Sequence, residues 1–206
     1  MISAHEALGR LREGNRRFVS NAGGADRVLS SVRRAELAQK QEPFAVVLGC
    51  SDSRVPPETV FDQGPGTLFV VRVAGNIAAP SQVGSVEFAA ERFRTRLVVV
   101  LGHTRCGAVQ STFEALQTSI KSQSPNIQEI VNRVRPSVEN CVKAESKGDT
   151  EDVVAHAVRE NIRSTVDELQ HKSQVLSQLA VKDGLLVVGA EYCLDTGVVA
   201  FFDIDG

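Results

Sequence analysis

The 206-residue sequence has no tryptophan, one tyrosine, one methionine and four cysteines, and its 23 basic residues are nearly matched by 25 acidic ones. Each shortage removes a class of protein. A formal charge of -2 and a pI near 6.1 leave no basic excess for a nucleic acid or an anionic membrane. Four cysteines are too few for a disulfide scaffold at this length, and a reducing compartment leaves them as thiols. They then serve as core residues, metal ligands or reactive groups. The apolar runs, such as Phe44 to Gly49 and Leu97 to Gly102, are far too short to cross a bilayer. Glu6, Arg10, Arg12 and Glu13 occupy the stretch where a signal peptide needs apolar residues, so a soluble, cytoplasmic protein is expected. There is no Walker sequence, no G-x-G-x-x-G, no internal repeat and no low-complexity tract; Gly64-Pro65-Gly66 reads as a turn.

What is present suits a packed globular chain: 42% hydrophobic and 23% charged residues, enough for a sizeable core in one domain, or two small ones at most. Residues 3–19 read as a helix, with Ser3 and Glu6 in a capping-box pattern and Ala4, Ala7, Leu8, Leu11 and Phe18 at helical spacing. Three β-branched runs without polar alternation, 44–49, 97–102 and 185–189, suit strands covered on both faces. Residues 67–73 make a fourth candidate and 197–202 a fifth, at an edge. Helices are expected at 84–94, 107–118 and 126–145, and a long one over 151–181. Residues 119–126 read as an exposed connection. Strands alternating with helices imply an α/β fold with a mostly parallel central sheet of four to five strands flanked by helices.

The first two strand runs each end in glycine followed by a metal-ligand type, Gly49-Cys50 and Gly102-His103. In an open parallel sheet the functional groups collect just past the carboxyl ends of the strands, so neighbouring strands would aim both residues into one crevice. Cys106 follows where the next helix begins, a position that lowers a thiol pKa. A lone cysteine ending an apolar strand is more often core than ligand. Together, Cys50, His103 and Cys106 form a Cys2His set, the composition of catalytic zinc sites that keep a fourth position open. Asp52 and Arg54 share one parity in the loop after Cys50 and can pair, which would lower the carboxyl pKa and fix its orientation; an ordinary loop salt bridge is the bland alternative. Three residues between Cys50 and Arg54 exclude a phosphatase-type loop, which needs five. Cys141 and Cys193 read as structural, and Asn76 and Gln110 carry no readable role.

The run Cys50-Ser51-Asp52-Ser53-Arg54, with His103-Thr104-Arg105-Cys106-Gly107 about fifty residues on, resembles the β-class carbonic anhydrases. The likeness continues through Phe61 to Gly66, Phe69 to Arg72 and Gly75-Asn76, and more loosely to Gly189-Ala190-Glu191-Tyr192. It implies a single domain over 1–206, with a helical arm at 1–40 and an α/β core at 41–206, and a first helix packed on a partner subunit in a homodimer or homotetramer. The helix is also amphipathic and is expected to lie far from the strands it could cover. The resemblance further implies one zinc ion per chain held by Cys50, His103 and Cys106, hydroxide on that zinc attacking carbon dioxide, and bicarbonate as product. Arg54 would draw Asp52 off the metal in an open state, and Asp52 would be the fourth ligand in a closed one. Gln41 stands where the family places a glutamine that reaches substrate from the partner. Phe69, Phe88 and Gly107 would line the pocket, with Phe88 at a position that is tyrosine in plant-type members. In some bacterial members Trp, Arg and Tyr bind an inhibitory bicarbonate; Arg72 and Tyr192 match two of these, while Val47 stands at the Trp position.

Two alternatives stay open at this point. A catalytically silent zinc-binding relative would have no need of Gln41, Asp52 and Arg54. A hydrolase of carbon disulfide or carbonyl sulfide could use the same residues behind a differently gated pocket.

Overall fold

The three unalternating β-branched runs form the middle of a five-stranded sheet. β1 (Ala45–Gly49), β2 (Leu68–Arg72), β3 (Leu97–His103), β4 (Leu186–Tyr192) and β5 (Val199–Phe201) take the order β2-β1-β3-β4-β5. All neighbours are parallel except β4 and β5, so the short last strand is an antiparallel edge, as its position in the sequence suggested. The structure is a computed structural model that describes residues 2–24, 30–118, 124–144 and 149–202. Of the expected 119–126 connection, 119–123 lie outside the described residues; Pro125 already begins a helix.

Every residue of β1 and β3 is buried, which explains the lack of alternation in their sequences: both faces are covered. On one face Val46, Leu48, Val98, Val100 and Val187 pack beneath α4 (Pro80–Arg92), α5 (Gly107–Thr118), α6 (Pro125–Ala144), α7 (Thr150–Asp167) and α8 (Gln174–Asp183). On the other, Ala45, Val47, Leu97, Val99 and Leu101 pack with α1 (Ala4–Val19) and α3 (Pro57–Val60). Among the described residues, no helix is long and apolar enough to cross a membrane.

The Ser3 cap forms as expected, its hydroxyl accepting from Glu6 N at 3.2 Å. The stripe Ala4, Ala7, Leu8 and Leu11 is then buried against this chain's own sheet, so α1 does not lie far from the strands it covers. Burying Leu8 and Leu11 contributes roughly 1.5–3 kcal/mol each. Asn15 locks the docking: its Nδ2 donates to the carbonyls of Val60 (3.1 Å) and Gly197 (2.9 Å), and its Oδ1 accepts from Val199 N. The helix without a buried residue is instead α2 (Ser31–Gln39).

The single helix expected over 151–181 is in fact broken. After α7 the chain runs through one π-helical turn (Glu168–Lys172) and leaves helical geometry at Ser173 (φ -91°, ψ 111°). The Ser173 hydroxyl starts α8, accepting from Leu176 N at 3.1 Å while donating to Glu87 on α4 at 2.6 Å. A serine that can cap competes with helix continuation, and apolar periodicity does not register that competition.

Candidate metal centre

Gly49 of β1 pairs with Leu101 of β3, so Cys50 and His103 emerge together at the carboxyl edge of the two central strands. Arg105, at φ 55°, turns the chain sharply and returns Cys106 toward them at the entry to α5. The side chains of Cys50, His103 and Cys106 are all buried, and their ligand-type atoms lie within 4.8 Å of one another. Gly102 makes the approach possible: a β-carbon there would stand 2.5 Å from Cδ1 of Ile162 on α7.

The imidazole is oriented for coordination. Nδ1 lies 3.0 Å from the carbonyl of Thr104, and a carbonyl only accepts, so the proton sits on Nδ1. Nε2 therefore presents a bare lone pair, fully buried and without a hydrogen-bond partner among the described residues. Leaving such an acceptor unmet costs about 1–3 kcal/mol unless a cation takes it. The thiols fit the same cation. Cys50 is pulled below an ordinary thiol by a hydrogen bond with Cys106, then by His103 and by the Gly75 N–H at 3.4 Å from its sulfur. Cys106, expected low where its helix begins, is instead pushed up by the same bond, by burial and by the neighbouring Cys50 charge, which outweigh the N–H groups of Val109 and Ala108. The pair thus shares one proton, which a divalent metal would displace. Two thiolates and one imidazole suit zinc.

Asp52 and Arg54 pair as the loop spacing suggested. Arg54 donates from Nε to Oδ1 (2.9 Å) and from Nη2 to Oδ2 (2.7 Å), and its backbone N–H adds a third bond at 3.0 Å. These bonds hold the Asp52 carboxyl far below the usual carboxylate range and raise Arg54. Oδ2 of Asp52 lies 3.8 Å from His103 Nε2, beside the ligand atoms yet committed to Arg54.

The remaining expected site residues are not all brought here. Gln41 is exposed four residues before β1, separated from Cys50 by the strand's length, about 17 Å at 3.3–3.4 Å per residue. It lines a groove of about 720 Å³ with Leu37, Gly66, Arg92 and Phe93. Phe69 clusters with Phe88 and Phe93, at centroid distances of 6.2 and 5.8 Å, and Phe88 is 54% exposed. Phe69 pairs with Val46, so it stands four residues below the level of Cys50. Gly107 is exposed beside Cys106, with open space where a β-carbon would be. Arg72 and Tyr192 stand on β2 and β4 with β1 and β3 between them. Among the described residues no polar contact joins them; Tyr192 is buried against Phe18, burial raises its phenol, and Val47 is fully buried.

Reading the sequence missed the backbone donor of Gly75, whose φ of 73° explains the glycine, and Arg72's bonds to the carbonyls of Cys50 and Asp52. Asn76 is buried at φ 44° with its Nδ2 unpartnered among the described residues. A glycine-asparagine pair after a strand is the signal for such a tight turn, but it names no function.

Residues 45–199 match the family model described as carbonic anhydrase. The chain is 40% identical over 190 residues to a carbonic anhydrase of Mycolicibacterium smegmatis, covering 92% of this chain and 88% of that protein. It is 38% identical over 188 residues to carbonic anhydrase 2 of Mycobacterium tuberculosis, covering 91% and 87%. Among solved structures, the β-carbonic anhydrase CcaA superposes with a TM-score of 0.77 at 26% identity, over 95% of this chain and 87% of that one. One of two tetrameric β-carbonic anhydrases of Sordaria macrospora shares the fold with a TM-score of 0.73 at 21% identity, over 82% and 85%.

Proposed function

Because the chain belongs to the carbonic anhydrase family, as a β-class enzyme whose general reaction is the hydration of carbon dioxide, we propose that Cys50, His103 and Cys106 hold one zinc ion per chain where that hydration occurs. The observation that carries this reading is the buried, unpartnered Nε2 of His103 standing beside two thiols that share a proton. When bound, zinc supplies Lewis acidity that brings the pKa of water down toward about 7, somewhat less far with two thiolates than with three imidazoles.

The chain's own groups supply the rest. Asp52 is too acidic to carry a proton at neutral pH, so it serves as a hydrogen-bond acceptor and not as a general base. Accepting from the one remaining O–H of the attacking hydroxide, whose other proton has already passed to solvent, it turns that oxygen's free lone pair toward the carbon of carbon dioxide. Arg54 fixes the carboxylate in that role, and without Arg54 the nearest free place for Asp52 is the fourth ligand position. Gln41, remote from its own ligands, acts on the centre of a second copy of the chain, donating to a carbon dioxide oxygen as charge develops there. Phe69 and Phe88, which like Gln41 stand away from this chain's own ligands, would give the centre of that second copy an apolar approach beside its Gly107, as suits an uncharged linear substrate. A homodimer or homotetramer is therefore the active form, and a reducing cytoplasm keeps the thiols available.

The test is metal content together with stopped-flow hydration of carbon dioxide. The wild type should carry one zinc per chain and hydrate carbon dioxide, and Cys106→Ser should lose both. Full zinc occupancy in Cys106→Ser would remove this ligand assignment.

A further inference from the structure

Asp52 is held at two ends by two different arginines. Arg54 takes its carboxylate, while Arg72, the last residue of β2, takes its carbonyl: Nη2 donates to Asp52 O at 2.5 Å and Nε to Cys50 O at 2.9 Å. Those carbonyls bracket the three-residue run Cys50-Ser51-Asp52, whose first side chain is a ligand and whose last could become one. Otherwise the run is tied down by Ser51 N to Val73 O (3.2 Å), Val55 N to Asp52 O (3.0 Å) and the Gly75 N–H on the Cys50 sulfur. The bonds from Arg72 cross 22 and 20 residues, and they come from a charged fork.

We propose that Arg72 is a positioning residue: it fixes the Cys50–Asp52 backbone so that Asp52 stays paired with Arg54, and so limits how often that carboxylate reaches the metal. The proposal rests on the zinc reading above. The distance at stake is small, since Oδ2 already lies 3.8 Å from His103 Nε2. Among the described residues, the Asp52 carbonyl without Arg72 keeps only the bond from Val55 N, about which a modest rotation of the peptide would close that distance. Lysine cannot replace the fork, because one ammonium is a point donor and the two carbonyls are two residues apart. The same bonds argue against Arg72 as an anion receptor in this chain. Its Nε and Nη2 are spent on the backbone, Tyr192 lies three strands away, and Val47 offers no donor.

The test replaces zinc by Co(II), whose visible spectrum reports the ligand set, at one neutral pH without bicarbonate. Arg72→Gln should shift the spectrum toward a carboxylate-bound form, with the bound-to-free ratio rising roughly tenfold for the loss of a charged donor. Arg72→Lys should fall between it and the wild type. In an Asp52→Asn background the Arg72→Gln shift should vanish. A wild-type spectrum in Arg72→Gln, or a shift that persists with Asp52→Asn, overturns the proposal. So does an Arg72→Gln protein whose only change is a lost spectral response to added bicarbonate, which would make Arg72 the anion receptor. If thermal unfolding shows Arg72→Gln misfolded, Arg72→Lys carries the same comparison. A wild type that takes up neither zinc nor cobalt would instead bring down the zinc reading itself.

Discussion

Gly102→Ala tests how tightly the metal centre is coupled to the packing behind it. The added methyl would stand 2.5 Å from both Cδ1 and Cγ1 of Ile162, where carbon atoms prefer about 3.5–4.0 Å. Ile162 is fully buried and its Cγ2 packs over Gly189, so any retreat must displace its packed neighbours. Overpacking of this kind costs about 1–3 kcal/mol, near 2–4 °C of melting temperature per kcal/mol for a chain of this size. The strain does not stay local, because His103 follows directly and its ring must hold Nε2 among the two sulfurs. Gly102→Ala should therefore lose both stability and zinc affinity. Ile162→Ala alone should cost about 2–5 kcal/mol by leaving a cavity. The double variant should be less destabilised than the sum by about 1 kcal/mol or more, since the new methyl enters the space the isoleucine left. Urea unfolding of the four proteins, with and without zinc, measures the cycle. A Gly102→Ala protein with the wild-type midpoint and zinc affinity, or a cycle that is simply additive, would refute the packing argument.

Gln41→Ala should lower hydration efficiency by roughly a factor of 10²–10³, as loss of a donor to developing charge does, while zinc content stays unchanged. Mixing Gln41→Ala with Cys106→Ser chains should restore part of the activity, because a mixed pair rebuilds one intact site; no recovery after subunit exchange is confirmed would place Gln41 outside the partner's site. Zinc uptake near pH 6, below the pKa of about 7 or higher of water on the zinc, should release about one proton per site, the one shared by Cys50 and Cys106, as read by an indicator dye in weak buffer; two would refute the shared proton. Asp52 has a depressed pKa, so its pairing with Arg54 stabilises the fold above the ordinary carboxylate pKa of about 3.9 and is lost as pH falls through the lower folded value. In metal-free protein the stability gap between wild type and Arg54→Ala should accordingly shrink between about pH 5 and pH 2, and a constant gap would contradict the pairing.

The legible parts of this molecule are those written in contiguous residues. Unalternating β-branched runs announce strands covered on both faces, and β1 and β3 are buried throughout. A glycine and a ligand-type residue at the end of each run announce the centre, because topology then sets adjacent parallel strands level with one another. Asp52 and Arg54 are legible for the same local reason, two residues of one loop facing one way. What could not be read depends on contacts distant in sequence. Ser173 ends a helix because its hydroxyl caps the next one through the Leu176 N–H while donating to Glu87, and the apolar stripe around it carries no mark of that. The landing place of α1 follows from which sheet face the α4–α8 layer leaves bare, a property of the assembled fold.

Gln41 and Arg72 show the two ways in which a residue's chemistry escapes its sequence neighbourhood. Arg72 enters the sequence reading only as the match to an arginine of the family's bicarbonate site. Its Nε and Nη2 donate to two carbonyls where the chain leaves β1 to build the Cys50–Arg54 loop, and only the register of β1 against β2 puts them within reach. Gln41 is the converse. Nothing within its own chain uses it at the metal centre, and the length of β1 keeps it from Cys50. The role proposed for it needs the face of a second chain, so the glutamine was identifiable through the family resemblance and not through the physics of one chain. A fold can be read from the burial pattern of a single sequence, but a shared active site also needs the symmetry that brings two copies together.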